Sequence, residues 1–361
     1  MPKRITILFL MIGMMIVTAC SANQHEDTAQ DHSTIAGKSD GHAEKDKPIP
    51  APFQPIEPSK SATALETNYT DEENTWMPRK EALGDEIKRS VSLGQTLLRG
   101  KEDHTNGPLK NNRLVAFYGT PASKDMGVLG EHPPEEMMEK LKERTAAYSN
   151  ADPDRPAVPT IELIATVAQR TPGPDNLYVS KPSKKIIDEY AKLAKENGAL
   201  LLLDIQLGRG TIMDEIKEIE PYLKLPYVHL AIDTEYSVDE GEIPGEDLGE
   251  VEGEDVQEAI EYMDRMVEDN NLPDKMVLVH QFGNGIVKNK DKIKPTKHVE
   301  VPLNYDGFGD SAVKMSAYGK LVRDQPIQYG GFKLFFNNDE PLLSPEEVLK
   351  LDPAPAIINY Q

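Results

Sequence analysis

The stretch Val228-His229-Leu230-Ala231-Ile232-Asp233-Thr234-Glu235 alternates large apolar side chains with small or polar ones, and it carries two acids at its carboxyl end. Such alternation predicts a β-strand, because successive side chains on a strand point to opposite faces. Seven further apolar segments of strand length accompany it along the chain. The eight predicted strands cover residues 114–119, 160–168, 199–206, 228–235, 276–282, 299–306, 331–336 and 356–360.

Amphipathic segments lie between several of these strands. Residues 133–148, 254–270 and 310–323 carry apolar side chains at helical spacing, and a fourth helix fits between Ser183 as its cap and Gly198 as its end. Ser344 and Glu347 have the spacing of a capping box. The connection after the fifth strand has no clear helical pattern.

The alternation of strands and helices predicts an α/β fold with a parallel sheet. Eight strands within residues 113–361 fit a closed (β/α)8 TIM barrel, which typically takes about 250 residues. The alternative is an open doubly wound sheet. It is disfavoured because no glycine-rich phosphate loop follows the first strand.

The polar residues of the predicted strands fall where a barrel places its active site. If Val228, Leu230 and Ile232 face the helices, then Asp233 and Glu235 face the barrel interior. Burying carboxylates without partners costs several kcal/mol each, and active sites of this fold lie at the carboxyl ends of the strands. The pattern predicts a functional cleft, with a fully paired polar layer as the alternative. The same alternation directs a further set of side chains inward or toward the strand ends: Tyr118, Asp204, Gln206, His280, Glu300, Asn304, Asp306, Lys333 and Asn359.

Two segments carry a family resemblance. Leu230-Ala231-Ile232-Asp233-Thr234-Glu235-Tyr236 resembles the fourth-strand signature of family 18, chitinase-like glycoside hydrolases, which ends in alternating acids often followed by tyrosine. Asn304-Tyr305-Asp306 resembles that family's Met-x-Tyr-Asp motif on the sixth strand, with Leu303 in place of the methionine. Both segments fall on the matching strands of an eight-strand count.

The resemblance implies a role for each matching residue. Glu235 would protonate the glycosidic oxygen, and Asp233 would orient the substrate's N-acetyl group as internal nucleophile. Tyr305 and Asp306 would hold that group. Acids two residues apart on a strand share one face, so the charge of one can shift the pKa of the other. The remaining inward residues would line the substrate site.

The sequence also departs from the family, and two alternatives stay open. Ala231 replaces the first acid of the run, and the single tryptophan, Trp76, lies outside the predicted barrel. These departures favour a non-catalytic lipoprotein that binds glycan or peptidoglycan. The rival enzyme is a metal-dependent phosphodiester hydrolase, for which Asp204, Asp233, Glu235 and His280, joined by Glu162, would supply the ligands. The leading hypothesis predicts no metal and no other cofactor.

The first residues predict the location of the protein. Lys3 and Arg4 precede an apolar run over residues 5–17, as in a secretory signal. That run is shorter than the roughly 20 residues that cross a bilayer. Val17-Thr18-Ala19-Cys20 resembles a lipobox, which implies a signal peptide over residues 1–19 and lipidation of Cys20. We therefore expect a lipid-anchored protein that faces outside the cytoplasm, with the membrane as partner through that lipid.

Composition separates the tether from the folded domain. Residues 20–75 are polar and proline-containing and predict a disordered spacer. Residues 76–112 predict a lead-in segment with a helix over 78–100. The net charge of −21 argues against nucleic acid as a partner. The chain as a whole resembles TIM-barrel lipoproteins of bacteria, so a cell-envelope glycan is the expected ligand.

Overall fold

The computed structural model describes residues 103–361 apart from 324, 326, 327 and 352. The predicted signal peptide, Cys20, the tether and the helix over 78–100 lie outside the described residues. The described part of the predicted lead-in segment, residues 103–112, contains a turn at 108–111 and no helix. Among the described residues, no helix has the length and apolar character that crossing a membrane requires.

Eight strands pair side by side, all in parallel, and the last pairs with the first. Each strand forms a parallel ladder with both of its neighbours. For example, Arg113 lies opposite Ala157 in the ladder between the first two strands, and Leu114 lies opposite Ile357 in the ladder between the first and the last. The sheet is therefore a closed barrel. Its strands are β1 (Arg113–Gly119), β2 (Ala157–Ala168), β3 (Leu200–Gly208), β4 (Val228–Ser237), β5 (Lys275–Gln281), β6 (Pro302–Tyr305), β7 (Tyr329–Leu334) and β8 (Ile357–Tyr360).

Helices occupy all but one of the connections between these strands. The β5–β6 connection has only a 3-10 turn, Lys290–Lys292. Two-residue strands add short pairings at Val179–Ser180, Val251–Glu252, Val287–Lys288 and Val299–Glu300. The α-helices are α1 (Val128–Glu131), α2 (Pro134–Ala151), α3 (Lys184–Glu196), α4 (Ile212–Leu223), α5 (Gly253–Asn270), α6 (Ser311–Tyr318) and α7 (Pro345–Val348).

The predicted (β/α)8 barrel is confirmed, with eight strands close to their predicted positions. The helix predicted over 310–323 is α6 followed by a π-helix, Gly319–Arg323. Ser344 and Glu347 form the predicted capping box at α7. One helix, α4, was not among the predictions. It contains Pro221 in its last turn, a residue that normally argues against a helix.

Two apolar cores lie on the two sides of the barrel wall. The outer core fills the space between the strands and the helices and includes Val228, Leu230 and Ile232. The inner core fills the amino-terminal end of the barrel and includes Leu202, Ala231 and other inward side chains. Every second residue of β4 therefore faces inward, as the alternation predicts. Asp233 and Glu235 follow Ala231 on that inward face.

The segment before β1 closes the amino-terminal end of the barrel. Leu109 belongs to the inner core, and its backbone N–H donates to the Glu300 carboxylate at 2.9 Å. The Tyr329 hydroxyl donates to Asp103 at 2.5 Å. Glu300, predicted among the inward residues, therefore binds the segment that closes the amino-terminal end of the barrel. The polar residues that remain inside lie nearer the carboxyl ends of the strands.

Candidate active site

Four strands meet at a buried histidine inside the barrel. His280 on β5 lies 2.8 Å from a Glu162 oxygen through Nε2, while its Nδ1 lies 3.2 Å from the Asn304 amide nitrogen and 3.4 Å from an Asp306 oxygen. The second Glu162 oxygen accepts a hydrogen bond from Asn359. We call Glu162, His280, Asn304 and Asn359 the histidine group; all four are buried.

The carboxylates around His280 decide its charge. Burial by itself lowers the pKa of His280, but Glu162 and Asp306, with a contribution from Asp204, outweigh burial and raise the pKa well above its ordinary value. These carboxylates therefore favour the cationic form of the imidazole. A buried cation that contacts two carboxylates holds its neighbours in fixed positions.

A second network fixes Asp233. The Tyr118 hydroxyl donates to an Asp233 oxygen at 3.3 Å, and the Gln206 amide nitrogen donates to the same oxygen at 3.2 Å and to the Tyr118 hydroxyl at 3.1 Å. The backbone N–H of Ala168 donates to the Gln206 carbonyl oxygen at 2.9 Å, which orients the amide. Burial, followed by the charges of Asp204 and Asp233, raises the pKa of Tyr118 well above its ordinary value. The hydroxyl therefore keeps the proton that it donates.

Three carboxyl groups converge at the carboxyl ends of β4 and β6. One oxygen each from Asp233, Glu235 and Asp306 lies within 4.8 Å of the others. We call these residues the acid group. Asp233 and Asp306 are buried, whereas Glu235 is partly exposed. Glu235 is therefore the member of the acid group that a molecule entering the barrel mouth reaches.

The environment of Glu235 favours its protonated form. Burial, then the charges of Asp306 and Asp233, raises its pKa to about 8. Burial likewise raises the pKa of Asp233, although the charge of His280 opposes that shift. At neutral pH Glu235 is a neutral carboxylic acid beside other acids. A carboxyl with a raised pKa beside a second carboxyl is an arrangement that supplies a general acid in hydrolases.

Asp204 is the least satisfied polar group in this region. It is fully buried, and neither of its oxygens has a hydrogen-bond partner among the described residues. Its register partner on β4 is Ala231, whose methyl group adds no polar contact. Burial, then the charge of Asp233, raises the pKa of Asp204 well above its ordinary value. The surroundings of Asp204 therefore favour its protonated form, which lowers the cost of burying it.

Lys333 brings a second cation to the site. Its Nζ lies 3.6 Å from the centroid of the Tyr118 ring and 5.3 Å from that of Phe335. The residue is 3% exposed, and its charge lowers the pKa values of Asp204, Asp233 and Glu235. From its position on β7, Lys333 thus offsets part of the negative charge of the acid group.

Of the ten side chains predicted for the site, nine come together. Tyr305 does not: it packs in the outer core, with its ring centroid 6.2 Å from that of Phe332. Alternation along β6 explains the difference, because Asn304 and Asp306 face inward and the residue between them faces the helices. The nine that converge are Tyr118, Asp204, Gln206, Asp233, Glu235, His280, Asn304, Asp306 and Lys333.

Sequence reasoning missed two features of the site. Glu162 was considered only as a metal ligand, yet it is the main partner of His280. Phe282 and Phe335, each directly after the end of a strand, were not singled out as site residues, although both contact Phe308 at the barrel mouth. A signal for them exists, since aromatic residues follow the ends of β5, β6 and β7 within three positions.

Two sets of side chains in the described residues have the spacing of metal ligands. Glu162, Asp204 and His280 form one, and the acid group forms the other. In the first set both His280 nitrogens contact protein atoms, so a metal ion would have to displace one of these contacts. The acid group offers carboxylate oxygens alone, which suit a hard cation such as Mg²⁺ or Mn²⁺.

No protein-family model and no curated protein matches this chain. Among solved structures, it is similar to "a putative alpha-L-fucosidase" from Bacteroides thetaiotaomicron VPI-5482, with a TM-score of 0.38 and 13% sequence identity. That alignment covers 79% of this chain and 91% of the other. A likeness at this level assigns no residue role and no substrate. The barrel assignment rests on the strand pairings of the chain itself.

Proposed function

We propose that the protein is an extracytoplasmic lipoprotein, anchored through Cys20, whose barrel hydrolyses N-acetylated cell-envelope glycans with Glu235 as the general acid. The observation that carries this proposal is the acid group: a partly exposed carboxyl, protonated at neutral pH, lies beside two buried carboxyls at the barrel mouth. Glycoside hydrolysis needs an acid of that kind paired with a second carboxylate.

The proposed reaction assigns one step to each group. Glu235 donates its proton to the glycosidic oxygen as the bond from that oxygen to the anomeric carbon breaks. The acetamido oxygen of the substrate attacks the anomeric carbon, and Asp233 stabilises the positive charge that develops. Water then attacks the same carbon as the bond from the acetamido oxygen to that carbon breaks, which regenerates the acetamido group, and a proton of the water returns to Glu235. Tyr118 and Gln206 keep Asp233 in place through their hydrogen bonds to it.

The proposed route predicts retention of configuration. The acetamido oxygen displaces the leaving group in the first step and water displaces the acetamido oxygen in the second, so the anomeric carbon is inverted twice. We therefore expect products that keep the anomeric configuration of the substrate, a property that NMR of fresh hydrolysate measures directly.

The test uses the purified full chain with N-acetylglucosamine oligomers and with peptidoglycan, and products are identified by mass spectrometry. Glu235→Gln should abolish cleavage and leave binding within about 1–2 kcal/mol of the parent. Glu196→Gln, at an exposed acid at the end of α3, is the matched control and should cleave like the parent. Cleavage by Glu235→Gln at the parent rate would refute the proposed acid.

Two outcomes would favour the other candidates. If parent and Glu235→Gln bind glycan equally and neither cleaves it, the protein is a binding lipoprotein. The alanine at position 231, where the family has an acid, supports this alternative. If the protein hydrolyses a phosphodiester only with Mn²⁺ and a chelator stops the reaction, it is the metal-dependent enzyme. The spacing of the carboxyl oxygens in the acid group supports this alternative.

The lipid anchor is tested separately. Cys20→Ala should abolish incorporation of labelled palmitate and release the protein from membranes.

A further inference from the structure

Three phenylalanines stand side by side at the barrel mouth. Phe282 follows β5, Phe308 follows β6 and Phe335 follows β7. The ring centroid of Phe308 lies 6.2 Å from that of Phe282 and 5.6 Å from that of Phe335. We call this set the aromatic wall. Because the carboxyl ends of neighbouring parallel strands meet at one edge, the wall borders the same opening as the acid group.

Phe308 leaves much of its ring in solvent. It is 50% exposed, whereas Phe335 is 9% exposed. Burying a phenylalanine side chain stabilises a fold, so an exposed ring held against two others forgoes part of that stabilisation. Phe308 also lies only two residues after Asp306, a member of the acid group. An exposed aromatic side chain therefore follows a member of the acid group on the same loop.

A buried carboxylate fixes the position of this ring. Asp339 accepts hydrogen bonds from the backbone N–H of Gly309 at 2.9 Å and from that of Phe335 at 2.9 Å. It also pairs with Lys314, which donates to the backbone oxygen of Lys333 at 2.8 Å. One side chain thus joins the loop that carries Phe308 to the strand end that carries Phe335. The wall is built in advance of any ligand.

We propose that Phe308 stacks on the apolar face of a pyranose ring of the substrate and so determines which glycans bind. This inference rests on the proposed function. A pyranose presents C–H groups on one face and hydroxyls at its edge, which match an aromatic ring beside carboxylate acceptors. The chain has this pairing in Phe308 and Asp306. Lys333, with its Nζ 5.3 Å from the Phe335 ring, connects the wall to the acid group.

The test measures binding without turnover in the Glu235→Gln full chain, with chitotetraose as the probe and calorimetry as the readout. Phe308→Ala should weaken the affinity about tenfold, which is about 1.4 kcal/mol. Phe308→Leu keeps apolar bulk but has no flat face, so it should weaken binding similarly. Phe308→Tyr keeps the face and should stay within about twofold. Val313→Ala, at a more exposed apolar residue on α6, is the control and should bind like the parent.

The outcomes separate this inference from the proposed function. Affinity that is unchanged in Phe308→Ala overturns stacking, even if Glu235→Gln abolishes cleavage. Weakened binding in Phe308→Ala together with cleavage that survives Glu235→Gln supports stacking and overturns the proposed acid. Absence of binding and cleavage in every variant, with melting temperatures like the parent's, overturns both. Affinity that Phe308→Leu fully retains shows an apolar contact without stacking and also overturns the inference.

Discussion

Replacing Asp306 by asparagine removes one charge from the acid group and should change the protonation of Glu235. An Asp306 oxygen lies within 4.8 Å of a Glu235 oxygen. Two unit charges about 5 Å apart interact by about 3 kcal/mol at an effective dielectric constant of about 20. At about 1.4 kcal/mol per pKa unit, that is about two units. Because Glu235 is partly exposed, solvent screening reduces the effect, and we expect its pKa to fall by about one unit from about 8.

The assay follows the Glu235 carboxyl carbon by NMR in protein labelled at its glutamates, between pH 4 and pH 10. The resonance is assigned by its disappearance in Glu235→Gln. The parent should titrate near pH 8, Asp306→Asn about one unit lower, and the exposed control Glu196→Gln like the parent. The basic limb of the cleavage profile should follow the same midpoint, because only the protonated form donates.

Two results would refute this reasoning at different points. A parent midpoint near the ordinary glutamate value of about 4.3 would show that burial and the neighbouring acids do not hold the proton. A raised midpoint that stays unchanged in Asp306→Asn would show that burial and Asp233 account for it without Asp306. In that case the charge of Asp306 would have no consequence for the pKa of Glu235.

Three further substitutions test the remaining parts of the site. Because the pKa of Glu235 is raised, the folded protein binds more protons than the unfolded chain between about pH 4 and pH 8, so the stability of the protein falls as pH rises through that window. Glu235→Gln should therefore raise the melting temperature at pH 9 more than at pH 5. Equal changes at the two pH values would contradict this. His280→Ala leaves Glu162 without its cation and should lower the free energy of unfolding in urea by about 3–5 kcal/mol, whereas His132→Ala, at a surface pair, should change it by less than about 1 kcal/mol. Tyr118→Phe removes the hydroxyl between Gln206 and Asp233 and should lower that free energy by about 1 kcal/mol and slow cleavage; rates and stability equal to the parent's would show that the hydroxyl is dispensable.

The barrel was predictable because its signal is local. Alternation with period two determines which side chains of a strand face inward, and β4 follows it from Val228 to Glu235. Strand order in a parallel barrel then follows from chain order, since each helix returns the chain to the next strand. A helix with proline near its end, α4, escaped prediction because its local signal is mixed.

The contacts of the site were less predictable because they cross the barrel. Alternation places Glu162 and His280 inside, but it does not determine that these two meet, since β2 and β5 are not neighbours in the sheet. Tyr305 illustrates the converse. The short motif around it suggested a site residue, whereas alternation along β6, applied strictly, places its ring in the outer core. The site role of Tyr305 stays a prediction from the motif, while its position follows the period of the strand.

The distribution of protons inside the barrel connects the fold to the proposed chemistry. Burial raises the pKa of both Asp204 and Glu235, that of Glu235 to about 8, but only Glu235 is partly exposed. When Glu235 gives up its proton to a leaving group, the mouth gains a negative charge beside Asp233 at the moment when positive charge develops on the substrate. Asp233 is buried, and burial lowers the local dielectric constant, which strengthens this interaction although Glu235 is partly exposed. The same burial that makes ionised Glu235 costly in the free protein therefore favours its ionisation when a developing cation lies next to it.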